Sequence, residues 1–341
     1  ALRSLSELLT GELRWDALHR SLYATDASVY RMTPLGVAFP KDEEDLIQLI
    51  RFAKAQGVSL IPRTAGTSLA GQCVGPGLVV DVSKHMCQIV SLDLEKKQVT
   101  VQPGVVRDEL NRYLEPHGLF FGPNTSTSNR CMIGGMVGNN SSGTTSIRYG
   151  VTRDKVVRMK VLLSDGSVAQ IEGLKASEFK AKTEQDSLEG NIYKGIYKEL
   201  SNKDIAKSIN KEFPDPKIHR RNTGYAVDAL LDMQPFREDG EAFNLGALLA
   251  GSEGTLALTM EITLQLDALP PTYAAMLVPH YHSLEDCLSD VAPVMIHPLF
   301  LCEMMDRVIL DCTKNNLEQK ENRFFVSGNP EALLMLEVRA S

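Results

Sequence analysis

Apolar and polar positions along the chain change period several times, and each change marks an element. Leu5, Leu8, Leu9 and Leu13 recur at helical spacing, which predicts a short amphipathic helix within residues 3–20. Gly36 to Pro40 is a brief apolar run of strand type. Asp42 then stands as an N-cap before Leu46, Ile47, Leu49, Ile50 and Phe52, and Gly57 supplies a stop. That pattern predicts a helix of about fourteen residues. Ser59 to Pro62 reads as the next strand and runs straight into a loop containing glycine. Strand, helix, strand and glycine loop make an α/β opening.

Short β-like runs follow at 78–82, 88–92 and 98–102, then a helix from Val106 to Glu115 with Val106, Leu110 and Leu114 on one side. Val156 to Leu163 leads into Ser164-Asp-Gly-Ser167, whose Asp-Gly dipeptide predicts a hairpin. Residues 173–216 are polar, helix-prone and weakly patterned, which marks an insertion or peripheral segment. Leu269-Pro-Pro271 reads as a boundary, and Tyr273 to Val278 begins a fresh strand of a new α/β pattern, still running at Ser341. The mixture favours an α+β fold over a purely alternating parallel sheet. The expected parts are an N-terminal helical segment over 1–34, a main domain over 35–269 and an incomplete second domain over 270–341.

Two segments depart from any core pattern. Gly122 to Gly143 holds five glycines and ten Ser, Thr or Asn residues in 22 positions. Short of large apolar side chains, it is not expected to build a core. It is suited to bring backbone N–H groups and hydroxyls against a polar ligand, since glycine permits close approach and unusual dihedrals. Pro62-Arg-Thr-Ala-Gly-Thr-Ser-Leu-Ala-Gly-Gln72 is a second such loop. Two cradles suggest a long ligand bearing phosphates.

Bulk properties narrow the class. A chain of 341 residues exceeds the size at which one core usually stops growing, so two domains are the default. A net charge of −7 argues against nucleic acid as a partner. The six cysteines form no CxxC pair, which reads as reduced thiols of a cytoplasmic protein and excludes a closely spaced iron–sulfur motif. No apolar stretch approaches the ~20 residues of a membrane helix, and the acidic start does not resemble a signal peptide. The chain opens on Ala1 rather than Met, so preceding residues are expected.

Two further clusters, His219-Arg-Arg-Asn-Thr-Gly-Tyr225 and Gly251-Ser-Glu-Gly-Thr255, follow the loops in order. With Pro62 to Ser68 and Ile133 to Gly143 they resemble the FAD-binding domain of the vanillyl-alcohol oxidase/p-cresol methylhydroxylase superfamily, in its flavin-dependent D-2-hydroxyacid dehydrogenase branch. That branch comprises D-lactate dehydrogenase, the glycolate oxidase flavoprotein subunit and D-2-hydroxyglutarate dehydrogenase. The resemblance covers roughly residues 35–340. It implies a p-cresol-methylhydroxylase-type FAD-binding domain of two α+β subdomains at 35–269, followed by the start of an α/β substrate (cap) domain. It implies FAD contacts from Arg63, Thr64, Ala65, Gly66, Thr67 and Ser68. It extends them to Pro123, Asn124, Thr127, Ile133, Gly134, Gly135, Gly138, Asn139, Asn140, Ser142, Gly143 and Gly254. Arg63 either pairs with the phosphates or caps its strand. Thr67 stands where some members carry a flavin-linked His, which implies non-covalent FAD.

The implied reaction moves hydride from the α-carbon of a D-2-hydroxyacid to flavin N5 while a base takes the hydroxyl proton. An Arg of the 219–225 turn is expected to hold the substrate carboxylate bidentately. Its register is open among His219, Arg220 and Arg221, with Thr223 beside them. No catalytic residue is assigned, because the family's base and metal-binding histidines sit in the later substrate domain and no His follows His297. The catalytic half is therefore expected outside this chain. The electron acceptor is unassigned, an iron–sulfur region or subunit outside the chain being one candidate, and peripheral attachment to the inner face of the membrane stays open.

Other motifs fit these residues less well. No G-x-G-x-x-G follows the first strand, no P-loop is present, and Ser252 does not have Gly at both second positions as an esterase elbow requires. His280 and His282 form an HxH pair without a third ligand, so no metal is expected. Glu303, Asp306 and Arg307 read as a polar set at a helix end. Two alternatives to the hydroxyacid enzyme remain. One is a flavoenzyme of the same fold, such as a sugar or alditol oxidase or an enolpyruvyl reductase; the other is a flavin-holding fragment or subunit serving a partner.

Overall fold

The computed structural model describes residues 1–218, 220–222 and 224–341. Its first sheet has four strands in the order Glu12–Arg14, Gly36–Phe39, Leu78–Asp81, Leu60–Arg63. The last three run parallel, with Val37 beside Val79 and Ile61 beside Val79 on the other side. The Glu43–Gln56 helix makes the crossover, and both its ends are set locally. Asp42 accepts from the Asp45 N–H, and Gly57 closes the helix in the left-handed region at φ +65°. Leu46, Leu49 and Ile50 face inward onto Leu78 and Val80.

The N-terminal segment corrects the expectation of one helix. Leu2–Leu8 is helical, but Gly11 admits a sharp turn and Glu12–Arg14 pairs antiparallel with Val37 to Phe39. Any Cβ at Gly11 would overlap the Phe39 carbonyl. The buried Asp45 carboxylate fastens the turn, accepting the N–H groups of Thr10 at 2.7 Å, Gly11 at 2.9 Å and Lys41 at 2.8 Å.

A second, wholly antiparallel sheet has the order Ile89–Asp93, Gln98–Val101, Leu258–Gln265, Val156–Leu162, Val168–Ile171. It faces the largest core, which includes Val99, Leu110, Phe121, Met159 and Ile262. Residues 173–216 prove to be part of this core rather than peripheral. Their helices Ala176–Thr183, Leu188–Leu200 and Lys203–Glu212 bury Phe179, Tyr193, Leu200 and Ile209 in it, with Phe179 edge-on to Phe243.

Beyond the Pro270-Pro271 corner, Tyr273–Leu277, Ala332–Ala340, His280–Tyr281 and Leu301–Asp306 form a third sheet. All its pairings are antiparallel, so the strand–helix alternation read as α/β is here an α+β arrangement. Its small core gathers Cys287, Leu299, Leu334 and Leu336. The polar set at 303–307 divides accordingly: Glu303 lies in a strand, and Asp306 caps the Arg307–Lys314 helix by accepting from the Ile309 N–H at 2.9 Å. His280 is satisfied within the protein, its Nδ1 donating to the Val278 carbonyl and its Nε2 accepting the Ser327 N–H.

Candidate functional site

Three loops from distant parts of the chain meet at one cleft of about 910 Å³, near the upper end of the roughly 300–1,000 Å³ usual for small-molecule sites. The first loop leaves strand Leu60–Arg63 and returns as the neighbouring parallel strand, so it must turn back over the sheet edge. Gly66 makes that turn at φ +65°, and a Cβ there would lie 2.6 Å from the Arg63 guanidinium. Arg63 itself is committed sideways: its Nη1 donates to the Thr25 carbonyl at 2.8 Å and its guanidinium stacks 5.0 Å over Tyr23. Tyr23 in turn donates to Asp81 at 2.5 Å, and burial with this hydrogen bond pushes the phenol well above its ordinary value. Among the described residues no backbone acceptor takes the N–H groups of Thr64, Ala65, Gly66, Thr67 or Ser68. Backbone N–H groups left without a backbone acceptor are suited to an anionic ligand.

The second segment contains the Ile133–Asn139 helix, which is amphipathic in an unusual sense. Ile133, Met136 and Val137 sink into the main core, correcting the expectation that this stretch joins none. Gly134, Gly135 and Gly138 are left on the cleft wall. A Cβ at Gly134 would lie 2.5 Å from Pro103, one at Gly135 would overlap Thr64 Oγ1, and one at Gly143 would overlap Asn124 Oδ1. These glycines therefore let the loops close on one another. Asn124 Oδ1 meanwhile accepts from Thr145 Oγ1 at 3.0 Å.

The third loop packs three residues with positive φ into four positions, Gly251 (+93°), Glu253 (+54°) and Gly254 (+72°). Gly251 N–H donates to the Val137 carbonyl and Glu253 N–H to that of Gly138, each at 2.9 Å, stitching the loop to the end of the glycine helix. Arg153 supports it from behind, donating from Nε to Ala247 O at 2.8 Å and from Nη2 to Ala250 O at 2.7 Å. Burial draws this guanidinium below its ordinary value, against the Asp228 and Asp154 carboxylates.

Of the residues named from the sequence, Arg63, Thr64, Gly66, Thr67, Ser68, Asn124, Thr127, Gly134, Gly135, Gly138, Asn139, Ser142, Gly143 and Gly254 all line this cleft. Ala65, Pro123, Ile133 and Asn140 do not. Ile133 is wholly buried in the core. Asn140, left-handed at φ +49°, ends the helix and accepts the Arg153 N–H at 2.8 Å. Pro123 O accepts from Arg107 Nε at 3.2 Å.

Asn222 and Tyr225 reach the same rim, Asn222 Nδ2 donating to Asn139 O at 2.9 Å and the Tyr225 hydroxyl pairing with that of Thr255 at 2.7 Å. Arg221 is paired with Asp228 through both Nη2 at 2.7 Å and Nε at 2.8 Å. Arg220 is half-exposed, 3.7 Å from Glu303 of the third sheet. Thr223 lies outside the described residues, as does His219.

Sequence reasoning missed Gln72, Arg130 and Glu253 on the cleft wall. Arg130 had a signal, being the one charge in the Gly122–Gly143 segment. Glu253 had none beyond its place between glycines.

Residues 34–172 match the FAD binding domain family. The D-2-hydroxyglutarate dehydrogenase of Pseudomonas putida is 35% identical over 325 residues, covering 94% of this chain and 31% of that protein. The Escherichia coli enzyme of the same name is 32% identical over 312 residues, or 90% of this chain and 30% of that one. Glycolate oxidase subunit GlcD of Bacillus subtilis is 35% identical over 161 residues, covering 47% of this chain and 34% of that subunit. The chain thus spans about a third of the length of the curated relatives it matches. A solved alkyldihydroxyacetonephosphate synthase shares the fold at a TM-score of 0.64 and 14% identity, over 98% of this chain and 54% of that one. No helix among the described residues is long and apolar enough to cross a membrane. Residues 34–172 are thus similar to the FAD binding domain family, and FAD is the cofactor this likeness supports.

Proposed function

We propose that this chain is the flavin-holding part of an enzyme that oxidises a D-2-hydroxyacid of lactate, glycolate or 2-hydroxyglutarate type to the 2-oxoacid. One observation carries the reading: three glycine-bearing loops converge on one large cleft, lined from the first loop by Thr64, Gly66, Thr67 and Ser68, whose N–H groups have no backbone acceptor among the described residues. The names of the relatives supply the substrate class. When bound, FAD supplies the acceptor for the hydride leaving the substrate's α-carbon. The chain's own residues bind and orient. The N–H groups of Thr64 to Ser68 take the diphosphate, and Gly134, Gly135 and Gly138 let the cofactor lie against bare backbone. Thr67 offers no covalent attachment, so the flavin is held non-covalently.

Arg220 is the better carboxylate partner of the two arginines, because Arg221 already spends both its ends on Asp228. The Pro270-Pro271 corner supports a division into an FAD-binding unit over 35–269 and a cap beginning at 270. An iron–sulfur region or subunit outside the chain is one candidate for the electron acceptor, and the free thiols suit the cytoplasm. Acid precipitation of purified yellow protein tests the cofactor mode: flavin in the supernatant is expected, and colour fixed in the pellet would refute it. Dye reduction by the intact gene product against a panel of hydroxyacids and sugar alcohols tests the reaction. Turnover of alditols but of no hydroxyacid would move the assignment to the sugar-oxidase alternative.

A further inference from the structure

The first cleft loop leans on a segment that precedes the family-matched residues 34–172. Residues 24–32 form a compact loop whose ends meet. Met32 N–H donates to Ala24 O at 2.8 Å, and Thr25 and Arg31 face each other in an antiparallel bridge. A closed neck of this kind is that of an Ω-loop. Ala24 is buried at the neck, whereas Val29 and Tyr30 at the tip are 94% and 58% exposed, so solvent reaches the tip freely. We propose that residues 23–32 are a strap for the cofactor: fastened, they hold the first loop in its FAD-binding shape, and unfastened they let FAD leave. This rests on the reading that FAD occupies the cleft.

The central fastening is made by the backbone. Ala27 N–H donates to Gly66 O at 3.0 Å, and Ala27 lines the cleft together with Gly66 and Thr67. The Gly66–Thr67 peptide is trans, and a trans peptide sets its C=O and N–H in opposite directions. Holding the Gly66 carbonyl on the strap therefore turns the Thr67 N–H away from the strap. That N–H has no backbone acceptor among the described residues, which leaves it for an anion.

Side chains secure the strap on both sides of this bond. Tyr23 donates to the buried Asp81, which also accepts the Ser83 N–H at 2.8 Å. The Tyr23 ring carries the Arg63 guanidinium, which donates to Thr25 O and lies 2.6 Å from where a Cβ on Gly66 would stand. Arg63 is thus clamped between the strap and the Gly66 turn. On the other side, Asp26 accepts the Ser28 N–H at 2.8 Å and the Cys73 thiol at 3.5 Å. The Tyr30 ring lies 2.8 Å from the Cβ position of Gly71, the last glycine of the loop.

A brace that only supports the fold does not respond to ligand. A strap coupled to the site must respond, because coupling is reciprocal: whatever factor the fastened strap adds to FAD affinity, bound FAD adds to the fastening. One net hydrogen bond corresponds to a factor of roughly two to ten. Cutting of a locally opened segment by a protease follows the population of the open form when reclosing is fast.

The test is trypsin digestion of the full-length protein with and without FAD, alongside FAD affinity from fluorescence titration. Cutting after Arg31 is followed by mass spectrometry against cutting after Lys320, an exposed residue between two strands of the third sheet. FAD is expected to slow cutting after Arg31 roughly two- to tenfold and to leave Lys320 unchanged. Ala27→Pro removes the donor to Gly66 O; it should weaken FAD binding by the same factor and abolish the protection. Tyr23→Phe cuts the tie to Asp81 but keeps the ring over Arg63, and it should lower both affinity and protection; it decides alone if Ala27→Pro does not fold. Equal cutting after Arg31 with and without FAD overturns the proposal, as does equal protection at both sites or wild-type FAD affinity in the folded variants. A wild type that binds no FAD overturns instead the cofactor reading.

Discussion

Gly135 offers the sharpest test of how the loops close. A Cβ at this position would overlap Thr64 Oγ1, while its next neighbour, Thr64 Cβ, stands 3.7 Å away at ordinary contact distance. Gly135→Ala should therefore cost overpacking of about 1–3 kcal/mol, offset by up to about 1 kcal/mol of helix propensity, since the residue is in a helix. Removing the hydroxyl relieves the overlap, because Thr64→Ala leaves only the 3.7 Å contact. In that background Gly135→Ala should be neutral or stabilising. The cycle should then show a favourable coupling of about 1–3 kcal/mol between the two substitutions. Urea denaturation of the four apoproteins measures it, and FAD titration reports whether loop closure and affinity recover together. If Gly135→Ala costs the same with and without the Thr64 hydroxyl, the two loops do not meet as described.

Two further outcomes follow from the same geometry. Arg153→Met strips the Ala247 and Ala250 carbonyls of a charged donor. It should lower stability by roughly 1.5–3 kcal/mol and slacken FAD retention, measured by denaturation midpoint and dialysis; unchanged retention would show that the third loop stands without this support. In the full-length enzyme Arg221→Ala should chiefly destabilise, while Arg220→Ala should cut kcat/KM for hydroxyacids about ten- to a hundredfold at normal FAD content. Wild-type kinetics for Arg220→Ala would make it a solvated surface residue.

What was legible in the sequence was whatever is decided locally. The Glu43–Gln56 helix carries its own cap, apolar face and left-handed stop, so Asp42 and Gly57 announced its bounds. The Asp165-Gly166 hairpin did the same. The Glu12–Arg14 strand was not legible, because three residues show no alternation and its reason is pairing with residues 37–39. Residues 173–216 misled for a related cause. Phe179, Tyr193, Leu200 and Ile209 are spread among lysines and glutamates, and they count as core only once Phe243 meets them. Within the candidate site, the glycines declared where backbone comes close but not what it comes close to. Arg63 and Arg221 looked free for a ligand, and each turned out to have a partner, Thr25 and Tyr23 for one and Asp228 for the other. A partner 38 residues away leaves no local trace.

That diversion of arginines has a consequence for recognition. With Arg63 tied sideways to the Thr25 carbonyl and the Tyr23 ring, the diphosphate would be met mainly by neutral backbone donors, and Arg130, whose Nη1 donates to Asn129 Oδ1, would be the wall's other cation among the described residues. Dipoles act over short range and are hardly screened, whereas charge pairs weaken once separations exceed a Debye length of about 10 Å at 0.1 M salt. FAD affinity should therefore change by less than about threefold when salt is raised from about 0.05 to about 0.5 M, a window in which a recognition built on exposed cations loses far more. Dialysis at one fixed pH isolates this effect from any change of protonation. A tenfold or greater loss, abolished by Arg130→Gln, would place the recognition in that guanidinium and demote the Thr64–Ser68 donors to a shape-fitting role.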